Sequence, residues 1–242
     1  MRLALTTWRQ VEAYLETKRT LIVPVGSTEQ HGPNGLIGTD HLIADALARA
    51  VGERLDLLVH PPLTLGMSQH HLAFPGSASL TSATLARVLT ELAESMARHG
   101  FRRFFWINGH GGNTPPASAA ASDLLARRSD IAWHWRSWWL HPRVVALEEE
   151  LFGDRNGSHA SAAEISITMF LEPGAVAPVE RLEIDRPAFE WPLSPEAFRA
   201  TFPDGRMMSD PSVASAEAGE RLFDLCVELY AEELAALEGG VA

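Results

Sequence analysis

The chain has 242 residues, 46% of them hydrophobic and 21% charged, an ordinary globular composition that buries roughly 70–75% of its unfolded surface without staples. Twenty Lys and Arg against 31 Asp and Glu leave a formal charge of −11, a surface that repels phosphate backbones and anionic lipid heads. Nucleic acid and membrane are thereby excluded as partners, and a single cysteine, Cys226, excludes an internal disulfide.

In chain order, residues 7–18 place Trp8, Val11 and Leu15 on one helical face. "TLIVPV" (20–25) reads as a buried strand. From 40 to 55 the apolar residues repeat at the helical period, with Thr39 as N-cap. "LDLLVHPPL" holds a short second strand stopped by Pro61 and Pro62, and a helix over 82–98 ends at Gly100. "FRRFFWIN" (101–108) is a third strand. "NTPPASAAASDLLARR" is the next helix, with Asn113 as cap and prolines in its first turn. "IAWHWRSWW" alternates, setting Trp133 and Trp135 against His134 and Arg136. A helix covers about 160–171, residues 173–212 read as loops, and a last helix spans about 214–238 with Cys226 as a buried core thiol.

Strands alternating with helices of ten or more residues give βαβ units and a mainly parallel sheet covered on both faces, read as one domain over 1–242. No apolar run approaches the ~20 residues needed to cross a bilayer. The N-terminal "MRLALTTWRQ" is too short on hydrophobicity for a signal peptide, so the cytoplasm is the expected location.

In such sheets ligands bind beyond the carboxyl ends of the strands, and two His-bearing segments fall there. "GSTEQHG" (26–32) follows the first strand and "NGHGGN" (108–113) the third, while Asp40 opens the helix after the former. Glu29, His31, Asp40 and His110 can therefore converge on one rim. Carboxylate and imidazole without thiolate suit zinc or manganese, and a carboxylate can bridge two ions ~3.5–4 Å apart. Taken singly, a helix-opening acid such as Asp40 is usually a cap, and a lone Glu-x-His is usually accidental. In "GSHASAAEISITMF", His159 and Glu164 open an amphipathic helix, on which Ser158 is the cap and Glu164 a solvated side chain in the bland alternative. "GMSQHHLAFPGSASL" is a loop rich in His and Gly, either lining a pocket through Ser68, His70 and His71 or simply packed. Trp135, Trp138 and Trp139 are candidates to cover that pocket, with core packing the alternative.

Together, "VPVGSTEQHGPNGLIGTDHLIADALA", "GMSQHHLAFPGSASL", "NGHGGN" and "HASAAEISITMFLEPG" resemble the four signature blocks of the creatininase (creatinine amidohydrolase) family, in the family's order and over most of residues 20–175. The resemblance implies a three-layer α/β/α domain with a mainly parallel central sheet, assembled as a homohexamer, with two divalent ions, zinc or manganese, per active site. It implies that Glu29, Asp40 and His110 hold the first ion, that His31 and the bridging Asp40 hold the second, and that His159 matches the family's proton-shuttling histidine. Creatinine-cleaving members carry a glutamate ligand where this chain has Gly112. Other relatives act on formamide-bearing pyrimidines or on the precursor peptide of a redox cofactor. In those, a Glu of the His-Ala-Gly-Glu-x-Glu block completes the site; this chain keeps the second as Glu164 and has Ala162 for the first.

The expected activity is hydrolysis of a small or non-peptide amide C–N bond by a metal-activated water, with His159 protonating the leaving nitrogen. Two rivals stand beside it. His31, Asp40 and His110 could form the two-His-one-carboxylate set of an iron oxygenase, although those enzymes usually use β-barrels. The acids missing at Gly112 and Ala162 could instead mark a metal-stabilised binding or scaffold subunit without turnover.

Overall fold

The segment "TLIVPV" has no face to offer water, and it forms the inner strand β1 (Thr20–Val25), buried at every position. The computed structural model describes residues 1–239. Beside β1 lie β2 (Leu58–Val59) and β3 (Arg103–Asn108), and β4 (Ala132–Ser137) pairs with β3. The order is β2-β1-β3-β4 and every pairing is parallel, which makes the protein an α/β fold.

The helices are α1 (Trp8–Leu15), α2 (Thr39–Leu55), α3 (Ser82–His99), α4 (Thr114–Leu125), α5 (Pro142–Phe152), α6 (Ala162–Leu171), α7 (Pro195–Thr201) and α8 (Ala216–Gly239). The chain steps one way from β1 to β2 and the opposite way from β2 through β3 to β4. Right-handed crossovers then put α2 on one face and α3 and α4 on the other. The packing agrees: α2, α5, α6 and α8 touch one another in one layer, and α3 pairs with α4.

The period-two reading of β4 holds. Trp133 stacks on Trp106 at 4.4 Å, and the Trp135 indole N–H donates to Thr114 at the start of α4. On the opposite face His134 lies against Phe105, which meets Tyr230 of α8, and Arg136 pairs with Glu233. Cys226 is buried within α8, as its apolar neighbours indicate, and burial pushes its thiol pKa up.

Several local expectations are corrected. Thr39 is not the cap of α2; Gly38 holds that position without a side-chain bond, and the Thr39 hydroxyl donates to the Leu36 carbonyl. Asn113 holds the N-cap position of α4 as expected, but it makes no side-chain capping bond, because its amide is used elsewhere, as described below. The third strand begins at Arg103 rather than Phe101, and α4 ends at Leu125. The cap of α6 is Ser161, not Ser158, and the helix is buried on most sides rather than amphipathic. Two helices were not anticipated. His141 caps α5 with Pro142 in its first turn, and Ser194 caps α7 with Pro195 in its first turn. The segment 173–212 is therefore not all loop. Its Phe198, Phe202 and Met207 form a second small apolar cluster with Phe74 and Phe189. Among the described residues no helix is long and apolar enough to cross a membrane.

Candidate active site

The strand order reverses between β1 and β3, and an open α/β sheet leaves its crevice at that point. Val25 and Asn108 are paired in register, so "GSTEQHG" and "NGHGGN" leave the sheet side by side. The first residue after each strand is a glycine, Gly26 and Gly109, for a steric reason. A Cβ on Gly26 would stand 2.3 Å from the backbone nitrogen of His41, and one on Gly109 would stand 2.1 Å from the carbonyl oxygen of Asp40. The first turn of α2 is thus wedged between the two loops, which carries the Asp40 side chain over the sheet. The two asparagines of "NGHGGN" fasten the arrangement. Asn113 donates to the Gly26 carbonyl and accepts from the Met67 N–H, and Asn108 donates to the carbonyl of His110.

The convergence expected of Glu29, His31, Asp40 and His110 is present. Asp40 has one oxygen 2.9 Å from His31 Nε2 and the other 3.4 Å from His110 Nδ1. Glu29 Oε1 lies 3.1 Å from His110 Nδ1 and 3.7 Å from His159 Nδ1. These groups are all buried, yet both Glu29 oxygens, Asp40 Oδ2 and His31 Nε2 lack a hydrogen-bond partner of acceptable geometry. An unpaired buried carboxylate costs several kcal/mol by the order of magnitude of ion desolvation. Such a set is stable only with something to neutralise it.

The outer atoms explain how the inner ones are aimed. His31 Nδ1 sits 3.2 Å from the Glu29 carbonyl, His110 Nε2 3.0 Å from the Met67 carbonyl and His159 Nε2 2.8 Å from the Gln30 carbonyl. A carbonyl only accepts, so each of these nitrogens carries the proton in the neutral ring. The remaining nitrogen of each imidazole then turns a bare lone pair inward. Glu164 is divided in the same way. Its Oε2 closes the capping box of α6 by accepting from the Ser161 N–H and hydroxyl, and its Oε1 faces His31 Nε2 at 4.0 Å. Between His159 and that cap, Ala160 is turned into the left-handed region with φ 48°. Strain of that kind, of order 1–3 kcal/mol, tends to collect at functional sites.

Three overlapping groups have ligand atoms within 4.8 Å of one another: Glu29, Asp40 and His110; His31, Asp40 and Glu164; and Glu29, His31 and His159. The charges follow from this crowding. Burial opposes the imidazolium of His31, but the Asp40 carboxylate outweighs it and lifts the pKa to about 10. At His110 burial is likewise outweighed, here by Glu29 first, and the pKa rises well above the usual value. Burial works against the Asp40 anion, and His31 and His110 nonetheless hold it well below the carboxylate range. Burial and the neighbouring His31 keep His159 well below its ordinary value, so it is neutral.

Sequence reasoning did not pick out Gln30, which is buried behind this shell. Its amide nitrogen is 2.9 Å from both His71 Nδ1 and the Gly205 carbonyl, and its oxygen accepts from the Gly32 N–H. His71 in turn places Nε2 3.3 Å from Glu29 Oε1, on the outer side of the cluster. The alternation "E-Q-H" was a signal, since neighbours in an extended segment point to opposite sides.

A cleft of 760 Å³ opens over the cluster. His70, His71, His110, His159, Glu164 and Trp138 are on its wall, as are Trp139 and Trp191. Ser68 is not; it is fully buried, and its hydroxyl donates to the Ala78 carbonyl. Trp135 lies beneath α4 and does not reach the cleft. A side chain at Gly112 would begin 2.3 Å from the Met67 carbonyl and 2.5 Å from His110 Nε2. The position of the missing acid is therefore closed by backbone.

The model of the creatininase (creatinine amidohydrolase) family matches residues 4–234. The chain belongs to the creatininase family. It is 32% identical over 219 residues to the mycofactocin precursor peptide peptidase of Mycolicibacterium smegmatis, covering 84% of this chain and 79% of that protein. It is 28% identical over 250 residues to the creatinine amidohydrolase of Pseudomonas putida, covering 94% of each. A crystal structure of creatinine amidohydrolase superimposes with a TM-score of 0.85 at 27% identity, over 99% of this chain and 98% of that one. Other solved creatininases include a Zn-Zn form and a manganese form. This creatininase-family protein is a hydrolase whose relatives are amidohydrolases and peptidases, and its buried acid–imidazole cluster is suited to metal.

Proposed function

We propose that the protein is a dinuclear metal amidohydrolase that cleaves a small amide C–N bond. The observation that carries this reading is the set of three imidazoles, each tied to a backbone carbonyl by one nitrogen and turning the other toward carboxylates that have no partner. That is how metal-binding histidines are oriented. Glu29, Asp40 and His110 would hold one ion and His31, Asp40 and Glu164 the other. Asp40 would be shared by the two, since its two oxygens face different histidines. When bound, two zinc or manganese ions supply a water acidified toward pH 7 and positive charge beside the scissile carbonyl oxygen.

The chain's own residues do the remaining work. His159, neutral with Nδ1 bare, takes the proton of the attacking water and passes it to the departing nitrogen. An amide needs this, because an unprotonated amide anion is a very poor leaving group. The balance is water added across C–N, giving a carboxylic acid and an amine. A cleft of 760 Å³ admits more than a five-membered lactam, which favours the end of a short peptide as a second reading. Assembly as a homohexamer belongs to the same family reading, and light scattering that reports a monomer at micromolar concentration removes it.

The test is elemental analysis of protein purified without chelator, followed by assay on lactams, formamides, cyclic ureas and short peptides. About two divalent ions per chain, and hydrolysis that is lost on chelation and restored by zinc or manganese, are expected. Protein with no metal, whose hydrolysis is indifferent to chelation, would overturn the mechanism.

A further inference from the structure

Five histidines stand in or around the cluster, and four of them have a ring nitrogen bonded within the chain. His31, His110 and His159 meet backbone carbonyls, and His71 meets the Gln30 amide. His70 is the exception. Its ring borders the cleft, and among the described residues neither nitrogen has a partner and neither is sealed from solvent. The ring is nonetheless fixed by its neighbours. It lies 4.1 Å from the ring of His71 and 5.3 Å from that of Phe198, and it meets the Trp191 indole nearly edge to face at 5.0 Å. Burial, with His110 nearby, pushes its pKa down to about 4. A neutral imidazole keeps one nitrogen that donates and one that accepts.

Trp191 extends this wall. It borders the cleft with Pro192 and Leu193 and is 52% exposed, yet Phe189 holds it edge to face at 5.7 Å. Phe189, Leu193 and Phe198 belong to the second apolar cluster, which anchors the stretch. The step from the ring of His110 to that of His70 is 6.3 Å, and the next step to Trp191 is 5.0 Å. The indole therefore lies within about three residues of extended chain from the cluster. An aromatic shelf with one unbonded, uncharged polar group beside it is the arrangement by which pockets orient flat, uncharged ligand groups. A peptide unit is flat and uncharged, and it offers both a donor and an acceptor. We infer that His70 and Trp191 form a subsite for a second peptide unit of the substrate, one that is not cut, laid on the indole and hydrogen-bonded to the imidazole. This deepens the short-peptide reading and rests on the amidohydrolase proposal only for which amide is cleaved.

The probes are N-methylbenzamide, a ring joined to one peptide unit, and toluene, the ring alone. Binding to the full chain, metal-loaded and again after chelation, is followed by ligand-detected NMR titration. His70→Phe keeps the ring packing and removes the hydrogen bond, so it should weaken N-methylbenzamide by about 3- to 10-fold and leave toluene within about 2-fold. His70→Gln, with a donor and an acceptor of its own, should be weakened less. Trp191→Leu removes the shelf and should weaken both probes by about 3-fold. N-methylbenzamide binding unchanged in His70→Phe, an equal loss of both probes there, or no binding to the wild type at millimolar concentration overturns the subsite. So does a Trp191→Leu chain that binds both probes as the wild type does, and this half-exposed position decides alone if His70→Phe does not fold. The readout needs no turnover. Failure to hydrolyse any amide would sink the catalytic reading and leave this one standing, and the reverse also holds.

Discussion

The two ends of the central strand pair use acids in opposite ways. At the entrance of β1 and β3, Glu238 of α8 meets the Thr20 hydroxyl and the Arg103 guanidinium, so its charge has a partner within the chain. At the exit of the same strands, Glu29 and Asp40 are more deeply buried and face only imidazoles, with three of their four oxygens lacking a hydrogen bond. A fold can hold acids of the second kind only at a cost. The difference separates an acid that clips a helix to a sheet from acids kept for a ligand. The comparison is open to direct attack at both ends.

The largest effect is expected at Asp40. A neutral amide cannot balance two cations, so Asp40→Asn should lose both ions and bring turnover to background. If Asp40 served only the first turn of its helix, the change would be nearly neutral, since Asn and Asp are equivalent near a helix start. Metal content near wild type in this variant would place Asp40 with the structural acids.

Next comes His159→Asn, which should keep fold and metal and lower the chemical rate by roughly 10²–10⁴, the usual weight of a proton-transferring side chain. His159 also belongs to one of the three ligand groups. Loss of an ion in His159→Asn would move it from proton carrier to ligand.

The third prediction concerns pH. His31 has its pKa raised to about 10 in the metal-free protein, against roughly 6.5 for an unfolded histidine. The stability this gives is fully present below about pH 6.5 and is lost as pH rises through about 10. The same nitrogen must be deprotonated to hold an ion. Zinc binding at pH 7.5 should therefore release protons, seen as a dependence of the calorimetric heat on buffer ionisation. In chelator the melting temperature should fall between pH 7 and 9.5, and in excess zinc it should fall less. A heat independent of buffer would show that His31 is not displaced from its proton by metal.

What the sequence made legible follows from the same geometry. Glu29, His31 and His110 could be placed because each lies close after a strand's end, where the sheet dictates position, and Asp40 because it opens the helix that follows the first of those loops. Gln30 could not, because its role comes from what stands behind it across the fold, the Gly205 carbonyl and the His71 ring; His71 was placed in the pocket loop, but its approach to Glu29 was not legible. Ser68 looked equivalent to its neighbours in a loop rich in His and Gly, and only the 3₁₀ turn over Gln69–His71 decides that it points away from the cleft. The helix α7 was hidden for a different reason. Its seven residues are too few for periodicity to register, and their apolar anchor Phe198 packs against His71 rather than the main core.

The smallest effect is expected at the entrance of the strands. Glu238 and Arg103 are each about a quarter exposed, so solvent screens their pairing, and ion pairs of this kind contribute on the order of 0–1 kcal/mol. Glu238→Gln keeps the shape and one acceptor for the Thr20 hydroxyl. It should lower the melting temperature by no more than about 2–4 °C for a chain of this length. Metal content and the pH dependence of zinc binding should stay as in the wild type, because the six strand positions between the two ends carry no charge that could relay the change. A loss of metal in Glu238→Gln would break the comparison. The two ends of the sheet would then be coupled, and the partnered acid would have to be counted as part of the site.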